Sequence, residues 1–144
     1  FYGLPADVPG YQEALLPGNP RERVTGLEAC LAAEINHQRF IPFLALHEFE
    51  AWVFSKADVL AKHFDRADLT EKVAQAIAVA GEPELINHGK DTHPKARLQA
   101  MATGYKETSD GPTLMGKIGI PTIRDACPHF AAWLSRLEAL GQGA

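Results

Sequence analysis

The feature that most constrains the fold is a single β-type stretch in a chain whose other apolar patterns are helical. Residues 39–46, "RFIPFLAL", are short, apolar and partly β-branched or aromatic, which predicts a strand. Pro42 has no backbone N–H, so this strand is expected at a sheet edge or at a bulge. Because a lone strand cannot satisfy its own backbone hydrogen bonds, its partners are expected from an upstream part of the protein or from another chain.

The fold class predicted from this pattern is α/β and mostly helical, with helices around one or two strands. The sequence opens on Phe1 in "FYGLP", and we interpret it as a fragment that lacks its N-terminal strands. It has no internal repeat and no linker long enough to separate two domains. Residues 1–144 are therefore predicted to form one domain.

Capping residues mark the predicted helices. Asn19 followed by Pro20 predicts a helix start, and apolar residues then recur with helical spacing as far as residue 35. Asp68 and Glu71 have the spacing of a capping box, and Gly81 predicts the end of the same helix. Further helices are predicted in segments 47–55, 56–64, 93–103, 112–120, 121–127 and 128–141.

Composition excludes several classes of protein. Hydrophobic residues make up 46% of the chain and charged residues 22%, which is typical of a soluble globular domain rather than a disordered one. The net charge of -4 argues against wholesale coating of nucleic acid, although a local basic groove is compatible with it. The apolar runs are too short to span a bilayer. Two cysteines, Cys30 and Cys127, form no disulfide framework, so the expected location is the reducing cytoplasm.

The main candidate site lies in "LALHEFEAW", residues 44–52, where His47, Glu48 and Glu50 interrupt an apolar stretch. On a helix, His47 and Glu50 would share one face. An ionised carboxylate in such surroundings needs an arginine, a metal ion or a proton. We predict a divalent-metal or acid–base cluster, and the alternative is a structural pairing of Glu50 with an arginine. The zinc-protease pattern H-E-x-x-H is excluded because position 51 is alanine.

A second cluster of charged residues lies in "NHGKDTHPKARL", residues 87–98. Lys95, Arg97 and the N–H groups of a helix start could bind phosphate there. A solvated connection is the alternative, and it is favoured for His88 and His93. Arg97 is the better functional candidate because it could also pair with a buried glutamate. The other charged residues of this segment are Lys90 and Asp91.

Two weaker signals follow along the chain. Tyr105, Lys106 and Asp110 lie between two glycines, where the backbone could approach a ligand, although turns often use such residues. Cys127 and His129 in "CPHF" have too few companions for a structural zinc site. We therefore interpret Cys127 as a small core residue and His129 as a capping or polar contact of the final helix.

Several segments, taken in order, resemble one family. "FYGLP", "IPFLALHEFEAWVFS", "ELIN" and "DGPTLMGKIGIPTIRDACPHFAAWLSRLE" are similar to the domain-of-unknown-function family 4276 over nearly the whole chain. That family looks like a divergent Toprim-type α/β domain whose members are often encoded beside ATPases. The resemblance implies a nuclease or phosphodiesterase that depends on Mg²⁺ or Mn²⁺, acting as an effector in defence against foreign DNA.

The chain also departs from this pattern. The family begins with a strand and a "VEG"-like segment, and an aspartate precedes "FYGLP"; neither is present here. The resemblance therefore implies the C-terminal portion of the domain, inactive by itself. It carries over His47, Glu48, Glu50 and Arg97 as site residues, with Lys106 near a family lysine.

The resulting assignment of the site makes Glu50, His47 and Glu48 catalytic. Glu50 and His47 are assigned to the metal, and the substrate phosphate is assigned to the cationic side chains of Arg97, Lys95 and Lys106. The competing hypothesis is a non-catalytic module that docks a partner ATPase or self-associates into a homo-oligomer.

Overall fold

Helices account for most of the backbone in the computed structural model, which describes residues 4–86 and 92–141. The α-helices within these ranges are α1 Tyr11–Ala14, α2 Pro20–Ile35, α3 Glu50–Val53, α4 Ala57–Phe64, α5 Asp68–Ala80, α6 Pro94–Met101, α7 Asp110–Ile118, α8 Ile120–Ala126 and α9 Pro128–Gly141. A short 3₁₀ helix spans Pro83–Leu85. The mostly helical part of the predicted fold class is therefore confirmed. In these ranges, no helix combines the length and apolarity that crossing a membrane requires.

The described residues divide into two compact units. The first contains the residues up to Leu46 and those from Ala132 onward, and the second is His47–Ala131. In the first unit α1 packs on α2, and the core is formed by Ala14, Val24 and Leu27. Asn19 caps α2 as predicted, because its Oδ1 accepts the Arg21 N–H at 2.9 Å. The prediction of one domain over residues 1–144 stays a prediction.

The predicted strand at 39–46 is not formed; those residues have no strand or bridge hydrogen-bonding pattern. Side chains of the first unit take the place of a neighbouring strand. Glu28 of α2, itself 7% exposed, accepts the Leu44 N–H at 2.7 Å, and Trp133 of α9 donates its indole N–H to the Ile41 carbonyl at 3.2 Å. At least these two backbone groups of the segment are thus satisfied without a sheet, so contacts distant in sequence compete with its strand propensity. No strand occurs elsewhere in 4–86 or 92–141.

In the second unit, the short helix α3 lies at the centre. It packs against α6, α7 and the 3₁₀ helix, while α4 packs against α5 and α7. Val53, Phe54 and Leu60 have no exposed surface. The residue that opens α3 is Glu50, so a carboxylate is placed where three other helices converge.

Two details of helix capping differ between sequence and structure. Gly81 ends α5 as predicted, with a φ of 90° that suits glycine. The predicted capping role of Asp68 is wrong: Ala67 occupies the N-cap position and makes no side-chain cap. The Asp68 carboxylate is drawn instead to Arg66, at 2.6 and 2.7 Å, and to Lys72 at 2.8 Å.

Candidate functional site

Glu50 is the most unusual residue of the second unit, because its side chain is charged by default yet only 1% exposed. This burial is what the sequence predicted for it. The Tyr105 hydroxyl donates a hydrogen bond to Glu50 Oε1 at 3.3 Å, and the backbone N–H of Glu50 itself contributes another to the carboxyl. Burial raises the pKa of Glu50, and the negative charges of Glu48 and Glu107 raise that pKa further. Of the three partners expected from the sequence, the geometry therefore favours a proton over an arginine.

Tyr105 is held by the same environment. Burial raises the pKa of its phenol, and the nearby charge of Glu50 adds to that effect. The phenol therefore remains protonated and able to donate at neutral pH. Sequence analysis placed Tyr105 in a weak, turn-like signal and did not connect it with Glu50, which is 55 residues earlier.

Glu48 has a different role from Glu50, because it binds the start of helix α6. Its Oε2 accepts the Lys95 backbone N–H at 3.0 Å and lies 2.9 Å from His93 Nδ1. A carboxylate at a helix N-terminus is stabilised by the helix dipole and by the N–H groups of the first turn. Glu48 therefore occupies the position in which the sequence predicted a substrate phosphate.

His93 is the N-cap residue of α6. Its Nδ1 atom has two neighbours, one of which requires a hydrogen-bond donor at that atom and the other an acceptor. The Ala96 N–H points toward Nδ1 at 3.4 Å, which needs a lone pair, whereas Glu48 at 2.9 Å needs a proton there. The shorter contact, made to a carboxylate, is the stronger one, so we assign the proton to Nδ1. His93 is thus hydrogen-bonded to Glu48 and is not a solvated loop residue.

Lys95 connects these residues to a third carboxylate, that of Glu107. Its ammonium is paired with the Glu107 carboxylate, which raises the pKa of Lys95, and the charges of Glu50 and Glu48 contribute to the same shift. Sequence analysis missed Glu107, although it adjoins Tyr105 and Lys106 in the segment "GYKETSDGP". We use the name acidic cluster for Glu48, Glu50 and Glu107.

The remaining predicted site residues are placed as follows. His47 is half-buried and precedes α3, which begins only at Glu50, so these two residues do not share a helical face as predicted. Arg97 donates its Nε–H to the Thr92 carbonyl at 2.7 Å. Lys106 is exposed, and its backbone N–H donates to Asp110 Oδ2 at 2.7 Å. Residues His88, Lys90 and Asp91 lie outside the described residues, so their predicted roles stay predictions.

The C-terminal signal "CPHF" belongs to the core, as predicted for its cysteine. Cys127 has no exposed surface, and its Sγ lies 3.4 Å from Ser55 Oγ. His129 is buried near the start of α9, where Glu84 accepts its backbone N–H at 2.8 Å and that of Phe130 at 3.1 Å. This buried carboxylate has a structural role that sequence analysis missed.

The acidic cluster offers carboxylate oxygens as ligands for a metal ion. Carboxylate oxygens are the ligands that Mg²⁺ and Mn²⁺ prefer, and Mg²⁺ is often held by one or two carboxylates with water and substrate phosphate. Within the described ranges, no group of three or more His, Cys, Asp or Glu residues is arranged to hold a metal ion. Glu48 and Glu50 supply two carboxylates, which is fewer ligands than a closed all-protein site needs.

Comparison with known proteins places the chain in a family. No curated protein and no solved structure matches it. The family model described as "Domain of unknown function (DUF4276)" matches residues 1–138, nearly the whole chain. The chain therefore belongs to the DUF4276 family, as its sequence motifs predicted.

Proposed function

We propose that this protein is a phosphodiesterase or nuclease, assisted by Mg²⁺ or Mn²⁺, and that the acidic cluster forms part of its active site. The observation that supports the proposal is the burial of Glu50 beside two further carboxylates. Carboxylates crowded in this way have raised affinity for a positive charge, whether that charge is a proton or a metal ion. The Toprim-like α/β fold, the position of the chain as a C-terminal portion and a cytoplasmic location are parts of this proposal.

Within this proposal the side chains have distinct tasks. Burial raises the pKa of Glu50, which favours its use as a proton donor to a leaving oxygen when no metal ion is bound, and the Tyr105 hydroxyl hydrogen-bonds the Glu50 carboxyl. Glu48 fixes the start of α6 and, with it, the position of Lys95. A bound divalent ion would be held by Glu50 together with His47, as the sequence predicted, or with Glu48, and would stabilise the charge of a phosphodiester transition state. Arg97 and Lys106 remain the candidates for contacts with substrate phosphates.

The test is a metal titration of the thermal unfolding temperature, Tm. A cation that binds the folded state at ten times its Kd stabilises that state by about 1.4 kcal/mol, which raises Tm by several degrees in a domain of this size. We expect MnCl₂ or MgCl₂ to raise the Tm of the wild type and not that of Glu50→Gln, which keeps the side-chain shape. Metal-dependent cleavage of DNA or RNA should be lost in the same variant.

Glu71→Gln serves as the matched control. Glu71 is an exposed glutamate of α5 that accepts a hydrogen bond from Gln75, far in sequence from the acidic cluster. This variant should respond to metal as the wild type does. An identical metal response in the wild type and in Glu50→Gln, together with no cleavage of any nucleic acid, would eliminate the enzymatic proposal.

A second function, an interaction module that docks a partner ATPase or self-associates, is favoured by the surface of the first unit. Leu15, Leu16 and Ile35 are large aliphatic side chains that are 48%, 62% and 53% exposed, and exposed apolar surface can take part in a protein–protein contact. Light scattering combined with size-exclusion chromatography tests the self-associating form. Replacing Leu16 and Ile35 by serine should then convert an oligomer into a monomer, and a wild-type monomer excludes that form.

A further inference from the structure

A second polar network lies in the same unit, between helices α4 and α7. His63, in the last turn of α4, places its Nε2 atom 3.0 Å from Asp110 Oδ1, and its Nδ1 atom lies 3.2 Å from Lys117 Nζ. Asp110 is the first residue of α7, and Lys117 is in the last turn of that helix. Asp110 Oδ2 also accepts the Lys106 N–H at 2.7 Å, which fixes the carboxylate from its other side.

The contacts determine where the protons lie. A lysine ammonium can only donate, so its contact with Nδ1 requires a lone pair on that atom. The single proton of the neutral imidazole is then on Nε2 and is donated to Asp110. The carboxylate stays ionised, because the hydrogen bond with His63 lowers the pKa of Asp110. The three groups therefore have the order carboxylate, oriented imidazole and amine.

This order is the one by which enzymes activate a nucleophile: a base within hydrogen-bonding distance of the nucleophile and an acid that orients the base. We propose that Lys117 is a nucleophilic lysine that becomes acylated by activated acyl donors of the acyl-thioester or acyl-phosphate class. His63 is the base that takes the ammonium proton, and Asp110 is a positioning residue that orients His63. This assignment does not depend on the proposed nuclease function.

Acylation of Lys117 moves two protons off its nitrogen and transfers one acyl group to it. The Lys117 ammonium gives one proton to His63 Nδ1, which leaves a neutral amine beside an imidazolium stabilised by Asp110. The amine nitrogen attacks the acyl carbon, a C–N bond forms, and the C–S or C–O bond to the leaving group breaks. The leaving thiolate or phosphate departs with the electron pair, and the second amine proton is lost to solvent. The product is a neutral amide, so acylation removes the positive charge that faces His63.

Accessibility and helix position both bear on this reaction. Lys117 is exposed, whereas the side chains of His63 and Asp110 are 17% and 21% exposed, so a reagent can reach the amine while the base is shielded from bulk water. A lysine in the last turn of a helix is favoured in its charged form by the helix dipole. Reactivity at this position therefore requires a neighbouring base, and His63 provides one.

Lys62 is an internal control for the same experiment. It precedes His63 on α4, its side chain is 82% exposed, and its amine lies 3.6 Å from Asp58 Oδ2. In this pairing a carboxylate, rather than an imidazole, faces the amine. Lys62 and Lys117 are thus both exposed, and they differ in the group that adjoins the nitrogen.

The experiment measures acylation of both lysines in one sample. The full chain is treated in parallel with acetyl phosphate and with an acetyl thioester, and acetylation at each lysine is followed over time by peptide mass spectrometry. We expect Lys117 to react at least about tenfold faster than Lys62, a threshold set below the roughly hundredfold low end of what a positioned base contributes. The donor that gives the larger ratio identifies the leaving-group class.

Variants separate chemistry from structure. His63→Gln should lower the rate at Lys117 to that of Lys62 and leave the rate at Lys62 unchanged. Asp110→Asn should lower the Lys117 rate in part, and Asp110→Glu, which restores a carboxylate, should recover it; a loss of folding alone would change both lysines together. Equal rates at Lys117 and Lys62 in the wild type with both donors would overturn the assignment, and this comparison needs no variant.

Discussion

Replacement of Glu84 tests how a buried carboxylate secures the final helix. Pro128, at the first position of α9, has no N–H, and the next two N–H groups, of His129 and Phe130, donate to the two oxygens of Glu84 at 2.8 and 3.1 Å. The following N–H, of Ala131, bonds the Cys127 carbonyl at 2.9 Å and begins the helical ladder. One side chain therefore satisfies both backbone donors that the helix start leaves over.

The magnitude follows from counting those two donors. Glu84 is 3% exposed and both hydrogen bonds are buried, so water cannot easily replace the carboxylate. Each buried donor left without an acceptor costs about 1–3 kcal/mol. Glu84→Ala removes both acceptors and should lower the free energy of unfolding by about 2–6 kcal/mol. Glu84→Gln keeps one carbonyl oxygen but loses the charge at the helix N-terminus, and should cost about 2–4 kcal/mol.

Urea denaturation at 25 °C, followed by far-UV circular dichroism, measures these differences. The expected losses are large against the total of about 5–15 kcal/mol that is usual for a domain. Glu71→Gln, an exposed glutamate replaced in the same way, should change the free energy of unfolding by no more than about 0.5 kcal/mol. If Glu84→Ala proves as stable as Glu71→Gln, the helix start does not depend on this carboxylate and the reasoning is wrong.

Two further predictions concern the acidic cluster and its surroundings. Burial raises the pKa of Glu50 above its ordinary value of 4.5, so the stability that its acid form contributes is fully present below that value and is lost as pH rises through the folded-state pKa. Glu50→Gln should therefore gain stability relative to the wild type between pH 4 and pH 8 in urea titrations, and a difference that does not change with pH would contradict this. A Cβ added at Gly111 would lie 2.8 Å from the Phe49 ring and 3.2 Å from the Tyr105 hydroxyl, whereas at Gly116 of the same helix nothing lies within 4 Å. Gly111→Ala should thus lower Tm, and Gly116→Ala should raise stability by about 0.5–1 kcal/mol; a higher Tm for both would show that the Phe49 ring moves aside.

Most helix boundaries could be predicted from the sequence because they depend on neighbouring residues. Asn19 with Pro20 and Gly81 each act within one turn of the backbone, and each is found at the predicted helix end. Asp68 is the exception among the caps. Its competing partners Arg66 and Lys72 are also local, but a capping pattern does not show whether a carboxylate contacts the helix backbone or a neighbouring cationic side chain.

The segment 39–46 could not be assigned correctly from its own residues. Its apolar, partly β-branched or aromatic composition predicts a strand, yet Glu28 accepts the Leu44 N–H and the Ile41 carbonyl accepts the indole N–H of Trp133, which is 92 residues away. Propensity describes what a segment does without specific neighbours. Secondary-structure propensity does not include contacts between residues so far apart in sequence.

The candidate site was predictable in one part and hidden in another. The apolar neighbours of Glu50 in "HEFEAW" indicated its burial, which the structure confirms. Tyr105 and Glu107 come from a segment more than 50 residues away, so no spacing rule connects them with Glu50. A usable signal did exist for Glu84, because it stands beside Leu85 and Ile86 much as Glu50 stands among apolar residues.

The two tryptophans of the chain are divided between the two units, one in each. Trp52 lies against Phe130 with ring centroids 5.0 Å apart, and Trp133 lies against Phe43 at 4.9 Å. Replacing either indole by phenylalanine leaves a single tryptophan, whose emission reports on one unit alone. Coincident emission changes from the two single-tryptophan proteins during denaturation would mean that the units melt as one cooperative block, and separate midpoints would give each unit its own stability.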